Sequence, residues 1–213
     1  MTDTTADTAT GASAYAAAHQ QSITDPDAFW LAAARDIDWT TPPTKAVDSS
    51  RAPFYSWFPG AELNTCYNAV DRHVEADRGD QPAYIWDSAV TGTTETITYS
   101  QLQEQVAAFA GALAAEGVGK GDRVVIYMPM VPRAAIAMLA CARLGAVHSV
   151  VFGGFAASEL AIRIDDARPK VIVTSHGGIE PTRKVPYFPM VAKALELTSH
   201  TPSAVIVAPR HDQ

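Results

Sequence analysis

The chain has 213 residues, of which 47% are hydrophobic and 18% are charged, and its formal net charge is −7. This composition is typical of a globular protein, and an acidic balance without a basic stripe argues against nucleic acid as a partner. No apolar run approaches the roughly 20 residues of a membrane span, and two cysteines cannot form a disulfide framework, so we expect a cytoplasmic protein with no membrane partner.

The amino-terminal region contains three segments of different character. Residues 1–14 have neither the basic start nor the apolar centre of a signal peptide, and we expect a disordered tail there. Asp25 or Thr24 is placed to cap a helix that has Pro26 at its first position. Residues 36–64 combine prolines with aromatic side chains and have no periodicity, which predicts an extended segment laid over a core. A peptide- or base-stacking surface is the alternative, but the accompanying basic residues are missing.

A β-hairpin and a helix are predicted next. Ala83–Trp86 and Thr94–Tyr99 are short β-rich runs separated by a turn at Gly92. Ser100 and Gln103 have the spacing of a capping box, which predicts that a helix begins there.

The stretch from Gly121 to Phe155 has the order strand, helix, strand and glycine turn. Val124–Met128 and Val147–Phe152 are apolar runs typical of buried strands, and Arg133–Leu144 between them consists mostly of strong helix formers. Gly153 and Gly154 end the second strand. A crossover of this length connects parallel strands in the right-handed sense.

Two further strands, Val171–Thr174 and Ala204–Ala208, are predicted to join the same parallel sheet. Helices are predicted at Ala157–Ala167 and Met190–Leu197, and residues Ser175–Lys184 are predicted to form a loop. The fold class is therefore α/β, a parallel sheet flanked by helices and preceded by an α-helical and extended amino-terminal region. Ligands of such sheets bind at the carboxyl ends of the strands.

Two glycine-containing stretches imitate nucleotide-binding motifs. VTGTTETIT, at residues 90–98, lacks the lysine of a phosphate loop and leads into a strand rather than a helix. GVGKGDRV, at residues 117–124, follows a helix and precedes a strand, the reverse of the order in a dinucleotide fingerprint. The sequence therefore disfavours an NAD-dependent oxidoreductase.

Three stretches resemble the amino-terminal part of the short-chain acyl-CoA synthetases, the AMP-forming ligases of acetate and propionate. The DRH run and the VFGGF turn occur in the same order as in the family, which makes the resemblance specific. The GIEPTR loop is closer to the propionyl-CoA synthetase branch than to the acetyl-CoA branch. The stretches are FPGAELNTCYNAVDRHVEADRGDQPAYIWDS, TITYSQLQEQVAAFAGALAAEGVGKGDRVVIYMPMVPRAAIAMLACARLGAVHSVVFGGFAASELAIRIDDARPKVIV and GIEPTRKVPYFPMVAKAL. By this resemblance residues 15–75 are an acetyl-CoA synthetase-type amino-terminal region, and residues 76–213 are an incomplete AMP-binding (adenylate-forming) domain.

The resemblance implies an activity and its substrates. The family joins a short-chain carboxylate to ATP, with Mg²⁺, to give an acyl-adenylate and pyrophosphate, and then transfers the acyl group to coenzyme A (CoA) with release of AMP. The chain corresponds to about the first third of a family member, and the family's phosphate loop and late catalytic lysine are not among its motifs. We therefore expect no catalytic residue, no metal ligand and no catalysis from these 213 residues alone.

The resemblance also implies which residues bind CoA. They lie in the VFGGF turn and in the loop after the next strand: Phe152, Gly153, Gly154, Glu180, Pro181, Thr182 and Arg183. Glycine allows close backbone approach to a ligand, and an arginine offers two parallel donors to a phosphate. Acetyl-CoA synthetases tend to have a second arginine where this chain has Glu180, although Lys184 is adjacent. Without the resemblance, the glycines would indicate only a turn and Arg183 only a solvated charge.

A second function from another class fits the same residues. The chain would then be a standalone, non-catalytic module that binds a nucleotide, CoA or a partner protein through its sheet edge. Neither the preferred acyl chain nor the oligomeric state has a signature in the sequence.

Overall fold

The structure is a computed structural model in which residues 5–180 and 183–209 are described, with side chains described over 13–179 and 183–209. The chain divides into two compact units, Met1–Asn64 and Thr65–Gln213. The resemblance implies a domain boundary between residues 75 and 76, which is not the boundary between these two compact units. That domain boundary stays a prediction. Within the described residues, no helix combines the length and apolar character that crossing a bilayer requires.

The first unit contains two helices, a 3-10 turn and a small antiparallel sheet. Asp25 caps the second helix as predicted: its carboxylate accepts a hydrogen bond from the backbone N–H of Ala28 at 3.1 Å, and Pro26 occupies the first helical position. The bounds are α1 Thr5–Thr24, α2 Pro26–Ala33, the 3-10 turn Ala34–Asp36, β1 Val47–Asp48 and β2 Ser56–Trp57.

The amino-terminal helix differs from the disordered tail that we expected over residues 1–14. Helix α1 already includes residues from Thr5 onward, while residues 1–4 lie outside the described residues. The sequence of α1 is rich in alanine, which has the highest intrinsic helix propensity. Local propensity thus outweighs the low hydrophobicity on which the expectation of disorder was based.

The aromatic residues of the extended segment form a chain of ring contacts within the first unit. The rings of Trp39 and Phe58 have centroids 5.4 Å apart, and Trp57 meets Trp30 edge to face at 5.6 Å. The indole N–H of Trp39 also donates to the carbonyl oxygen of Ala34 at 2.7 Å. The segment is therefore held by specific contacts, although it lacks long strands or helices.

The second unit contains the parallel sheet. It begins with a π-helical turn and a short helix, followed by the predicted β-hairpin and then by alternating strands and helices. The bounds are the π-helical turn Tyr67–Asp71, α3 Arg72–Glu75, β3 Pro82–Ser88, β4 Thr93–Thr98, α4 Tyr99–Ala115, β5 Arg123–Tyr127, α5 Pro132–Leu144, β6 Val147–Val151, α6 Ala157–Ala167, β7 Val171–Ser175, β8 Gly178–Glu180, β9 Arg183–Val185, α7 Tyr187–Leu197 and β10 Ala204–Ala208.

Four parallel strands form this sheet in the order β10-β7-β5-β6, which confirms the predicted α/β fold. Val124 of β5 pairs with Val171 of β7 on one side and with His148 of β6 on the other. On the outer side of β7, Val171 pairs with Ala204 of β10. The carboxyl ends of all four strands consequently open at the same edge of the sheet.

The central strand β5 supplies two apolar cores. Val124 and Ile126 pack in a cluster with residues of α4 and α5, whereas Val125 and Tyr127 pack in a cluster with residues of α6 and α7. All four side chains are fully buried. Because successive side chains of a strand point to opposite faces, helices must cover both faces of the sheet.

The capping box of α4 lies two residues before the predicted one. The Thr98 hydroxyl accepts from the backbone N–H of Gln101 at 3.3 Å, and the Gln101 side chain accepts from the backbone N–H of Thr98 at 2.9 Å. The prediction of Ser100 and Gln103 was wrong because β4 runs directly into the helix without a connecting turn. Gln103 instead donates to Asp71 at 2.8 Å.

The predicted loop Ser175–Lys184 contains a small antiparallel hairpin, β8–β9, in which Ile179 pairs with Lys184. Helix α7 starts at Tyr187, three residues before the predicted Met190. Strands of three residues are too short to produce a periodic sequence pattern, so propensity could not predict this hairpin.

A carboxylate on α6 holds the connection between α7 and β10. Asp165 Oδ1 accepts hydrogen bonds from the Thr198 hydroxyl, from the backbone N–H groups of Ser199 at 2.8 Å and of His200 at 3.0 Å, and from the Ser199 hydroxyl at 3.0 Å. The hydrogen bond from Thr198, with those from Ser199 and His200, lowers the pKa of Asp165 below its ordinary value of 3.8.

The depressed pKa of Asp165 predicts how stability depends on pH. Because its folded-state pKa lies below the unfolded-state value, Asp165 stabilises the fold above pH 3.8, and this contribution is lost as the pH falls through the folded-state pKa. Asp165→Asn should therefore be less stable than the wild type at pH 7, and the difference should shrink in acid. Urea unfolding between pH 3 and pH 7 measures this. Asp166→Asn removes the same charge from the adjacent, exposed position, and a gap of equal size and pH dependence in that control would contradict the prediction.

Candidate functional site

A cleft of about 610 Å³ opens at the carboxyl ends of β5 and β6. Its lining includes the glycine turn after β6 and, from the β3–β4 hairpin, the end of β3 and the turn that follows it. Ile179 of β8 and Tyr187 of α7 also line the cleft. The cleft thus lies at the sheet edge where ligands of parallel α/β folds bind.

The structure places Phe152, Gly153 and Gly154 together in the lining of this cleft. Phe152 is 70% exposed, and its ring meets that of Phe155 edge to face, with centroids 5.9 Å apart. A Cβ atom at Gly154 would lie 2.7 Å from Cε1 of Phe152, so only glycine admits the ring in this position. The Arg163 guanidinium lies 4.3 Å from the centroid of the Phe155 ring and supports the turn from the side of α6.

The other predicted CoA-binding residues lie in the β8–β9 hairpin. Glu180 and Arg183 are paired across it, and Arg183 is exposed on β9, outside the lining of the cleft. Pro181 and Thr182 lie outside the described residues, as does the side chain of Glu180. Among the described residues of this hairpin, Ile179, next to Glu180, is the one that lines the cleft. The structure therefore places the predicted residues of the glycine turn in the cleft lining, whereas Arg183 lies on β9, outside that lining.

The β3–β4 hairpin forms a wall that sequence reasoning did not include in the site. The indole N–H of Trp86 donates to the carbonyl oxygen of Met130 at 3.0 Å, and the Tyr84 hydroxyl lies 3.5 Å from the carbonyl oxygen of Pro132. Burial raises the pKa of Tyr84 to about 12, which keeps its hydroxyl protonated. These contacts attach the hairpin to the loop after β5 and to the start of α5. A tryptophan within a hairpin strand gives no sequence signal for such a contact.

Two buried tyrosines beneath the glycine turn were also missed. The hydroxyl of Tyr127 lies 2.8 Å from the carbonyl oxygen of Phe155 and 3.3 Å from that of Gly153, and can donate to them. The ring of Tyr187 packs on Tyr127 with centroids 5.1 Å apart. Tyrosine at the end of an otherwise aliphatic strand is a usable signal, because a buried phenol needs a hydrogen-bond partner.

The chemistry of the cleft suits binding rather than bond making. Among the described residues that line it, Asp87 carries the only charged side chain, and most of the others are apolar. Within the described part of the chain, no group of three His, Cys, Asp or Glu side chains could hold a metal ion. The cleft itself is therefore suited to an aromatic or uncharged part of a ligand, and an anionic part would have to meet a cation outside it.

Two family models match the chain in succession. Residues 15–69 match the model described as acetyl-coenzyme A synthetase N-terminus, and residues 70–212 match the model described as AMP-binding enzyme. Together they account for nearly all of the sequence.

Individual proteins give the same picture. The mitochondrial acyl-CoA synthetase short-chain family member 3 of Bos taurus is 54% identical over 87% of this chain and 27% of its own length. The propionate–CoA ligase of Salmonella typhimurium is 46% identical over 90% of this chain and 30% of its own length. The solved structure of acetoacetyl-CoA synthetase from Streptomyces lividans superposes with a TM-score of 0.78 at 28% identity, covering 91% of this chain and 32% of that one. The chain thus spans less than a third of each.

The tyrosine beneath the turn yields a stability prediction. Tyr127→Phe leaves the carbonyl oxygens of Gly153 and Phe155 without this donor, and should lower the free energy of unfolding by about 1–3 kcal/mol. Urea denaturation measures the change. Tyr67→Phe is the matched control, because the Tyr67 hydroxyl donates to Glu75 at the exposed surface, and it should change stability by less than about 0.5 kcal/mol. Equal effects of the two substitutions would show that the buried hydrogen bonds contribute nothing specific.

Proposed function

The chain belongs to the AMP-binding enzyme family, and we propose that it forms the amino-terminal part of an AMP-forming short-chain acyl-CoA synthetase. The observation that carries the proposal is the unbroken succession of the two family matches over residues 15–212. The substrates of the whole enzyme are a short-chain carboxylate, ATP and CoA. The carboxylate is first joined to AMP with release of pyrophosphate, and the acyl group then passes to the thiol of CoA.

The role of this segment in the reaction is to contribute part of the CoA-binding surface. The proposed contacts come from Phe152, Gly153 and Gly154 at the cleft, and from the hairpin that carries Glu180 and Arg183. The exposed ring of Phe152 and the apolar cleft support contact with an aromatic or uncharged part of CoA, and the guanidinium of Arg183 supports contact with a phosphate. Pro181 and Thr182 belong to the same proposal on the strength of the family resemblance alone.

Magnesium and ATP enter the proposal only through the family. The described residues offer no metal-binding cluster, so no magnesium ligand is assigned to this segment. A cytoplasmic location is also part of the proposal, and it is supported by two buried free thiols, Cys66 and Cys141, which suit a reducing compartment.

The function is tested in a full-length protein that carries residues 1–213 as its amino-terminal segment. Exchange of pyrophosphate into ATP should depend on acetate or propionate, and the CoA thioester of that acid should form. The 213-residue chain by itself should show no exchange above a no-protein control. Absence of carboxylate-dependent exchange in the full-length protein, together with retained CoA binding, would instead favour a non-catalytic binding module.

Arg183 provides a test of the CoA surface. A charge-assisted hydrogen bond contributes roughly 1.5–3 kcal/mol, so Arg183→Ala should raise the KM for CoA by about ten- to a hundredfold while pyrophosphate exchange stays nearly unchanged. Arg183→Lys should recover part of the loss, because lysine keeps the charge but not the planar fork. Arg51→Ala, at an exposed arginine of the first unit, is the control. If exchange collapses and the KM for CoA does not move, Arg183 has a structural or ATP-binding role.

A further inference from the structure

The side chain of Tyr187 lies between the two loops that carry the proposed CoA contacts. Gly153 belongs to the turn after β6, and Gly178 is the first residue of the β8–β9 hairpin. A Cβ atom at Gly153 would lie 2.6 Å from Cε1 and 2.7 Å from Cζ of Tyr187, closer than the 3.0 Å that real Cβ atoms keep. A Cβ atom at Gly178 would overlap Cε2 of the same ring and lie 3.2 Å from Cδ2. One ring therefore packs against the bare backbone of both loops.

The ring is itself held firmly. Tyr187 is 3% exposed and packs on Tyr127, a fully buried residue whose hydroxyl hydrogen-bonds the turn at Gly153 and Phe155. Its backbone is the first residue of α7 and is joined to β9 by Pro186 alone. The position of the ring is therefore determined by its packing on Tyr127 in the core beneath β5 and by its place at the start of α7, one residue after β9.

We infer that Tyr187 is a positioning residue that sets the distance between the glycine turn and the β8–β9 hairpin. The inference rests on the proposed function, since the turn and the hairpin are the two halves of the proposed CoA surface. A ligand that contacts both loops binds tightly only when they are already held at the right separation. Replacing the Tyr187 ring by a smaller side chain removes its contacts with both loops, so that each loop can move without the other.

The positioning role of the Tyr187 ring is tested by replacing this side chain alone. In the full-length enzyme, Tyr187→Leu should raise the KM for CoA by about tenfold and leave pyrophosphate exchange within about twofold, because only the CoA surface loses its alignment. Tyr187→Phe keeps the ring and should stay within about threefold of the wild type for both. Phe188→Leu, at the neighbouring position that is 42% exposed, is the matched control.

A double-mutant cycle distinguishes the positioning of the two loops by Tyr187 from a general contribution of its ring to stability. Gly153→Ala should raise the KM for CoA because the new methyl group displaces the ring, and adding Tyr187→Leu should partly restore it, since the smaller side chain makes room. Purely additive effects of the two substitutions on the KM would overturn the inference. If Tyr187→Leu does not fold, Gly178→Ala displaces the ring from the side of the hairpin and should give the same rise in KM.

Amide hydrogen exchange provides a readout that does not depend on activity. Tyr187→Leu should accelerate exchange both at residues 152–155 and at residues 178–180, whereas Tyr187→Phe should accelerate neither. Acceleration in one loop alone would show that the ring does not couple them. A full-length wild type without acyl-CoA synthetase activity would refute the proposed function, but the exchange pattern would still decide whether Tyr187 couples the two loops.

Discussion

The second unit depends on the burial of strand β5 from both sides. Its neighbours β7 and β6 satisfy its backbone in the plane of the sheet, and its side chains alternate between two apolar cores. A strand in this position cannot shift by one residue, because such a shift would exchange the residues of the two cores. The register of β5 therefore determines where its carboxyl end lies, and with it the position of the cleft.

The last residue of β5 transmits this register to the candidate site. Tyr127 is the terminal residue of the strand, and its ring belongs to the core under α6 and α7 while its hydroxyl reaches the glycine turn. Tyr187 continues the same stack toward the β8–β9 hairpin. The two loops of the proposed CoA surface are in this way attached to the most buried part of the protein. Segments with buried contacts open less readily than loops without them, so this attachment restricts the motion of both loops.

The fold was largely predictable, because its elements have strong local signals. Strands β5, β7 and β10 are short, mainly apolar runs between breakers, and Gly145 ends α5 in the left-handed conformation that glycine adopts easily, with φ of 69°. Strand β6 was also predicted to be buried, but it lies at the edge of the sheet and is mostly exposed. The capping box at Thr98 and the β8–β9 hairpin were mispredicted for the opposite reason. For the capping box, the pairs Thr98–Gln101 and Ser100–Gln103 have the same spacing and lie two residues apart. For the hairpin, strands β8 and β9 are too short to show any periodicity. The family was identified from its motifs, and the family matches confirm it.

The sequence by itself determined the class of the fold, the order of its strands along the chain and the family, because these follow from local patterns and from motifs in a fixed order. Only the tertiary structure decided which residues meet. It brought the β3–β4 hairpin across the loop after β5, and it placed one tyrosine ring against Gly153 and Gly178, residues separated by a strand and a helix. Such contacts depend on the packing of elements that are distant in sequence. A single tyrosine at the first position of a helix carries no pattern that could have revealed them.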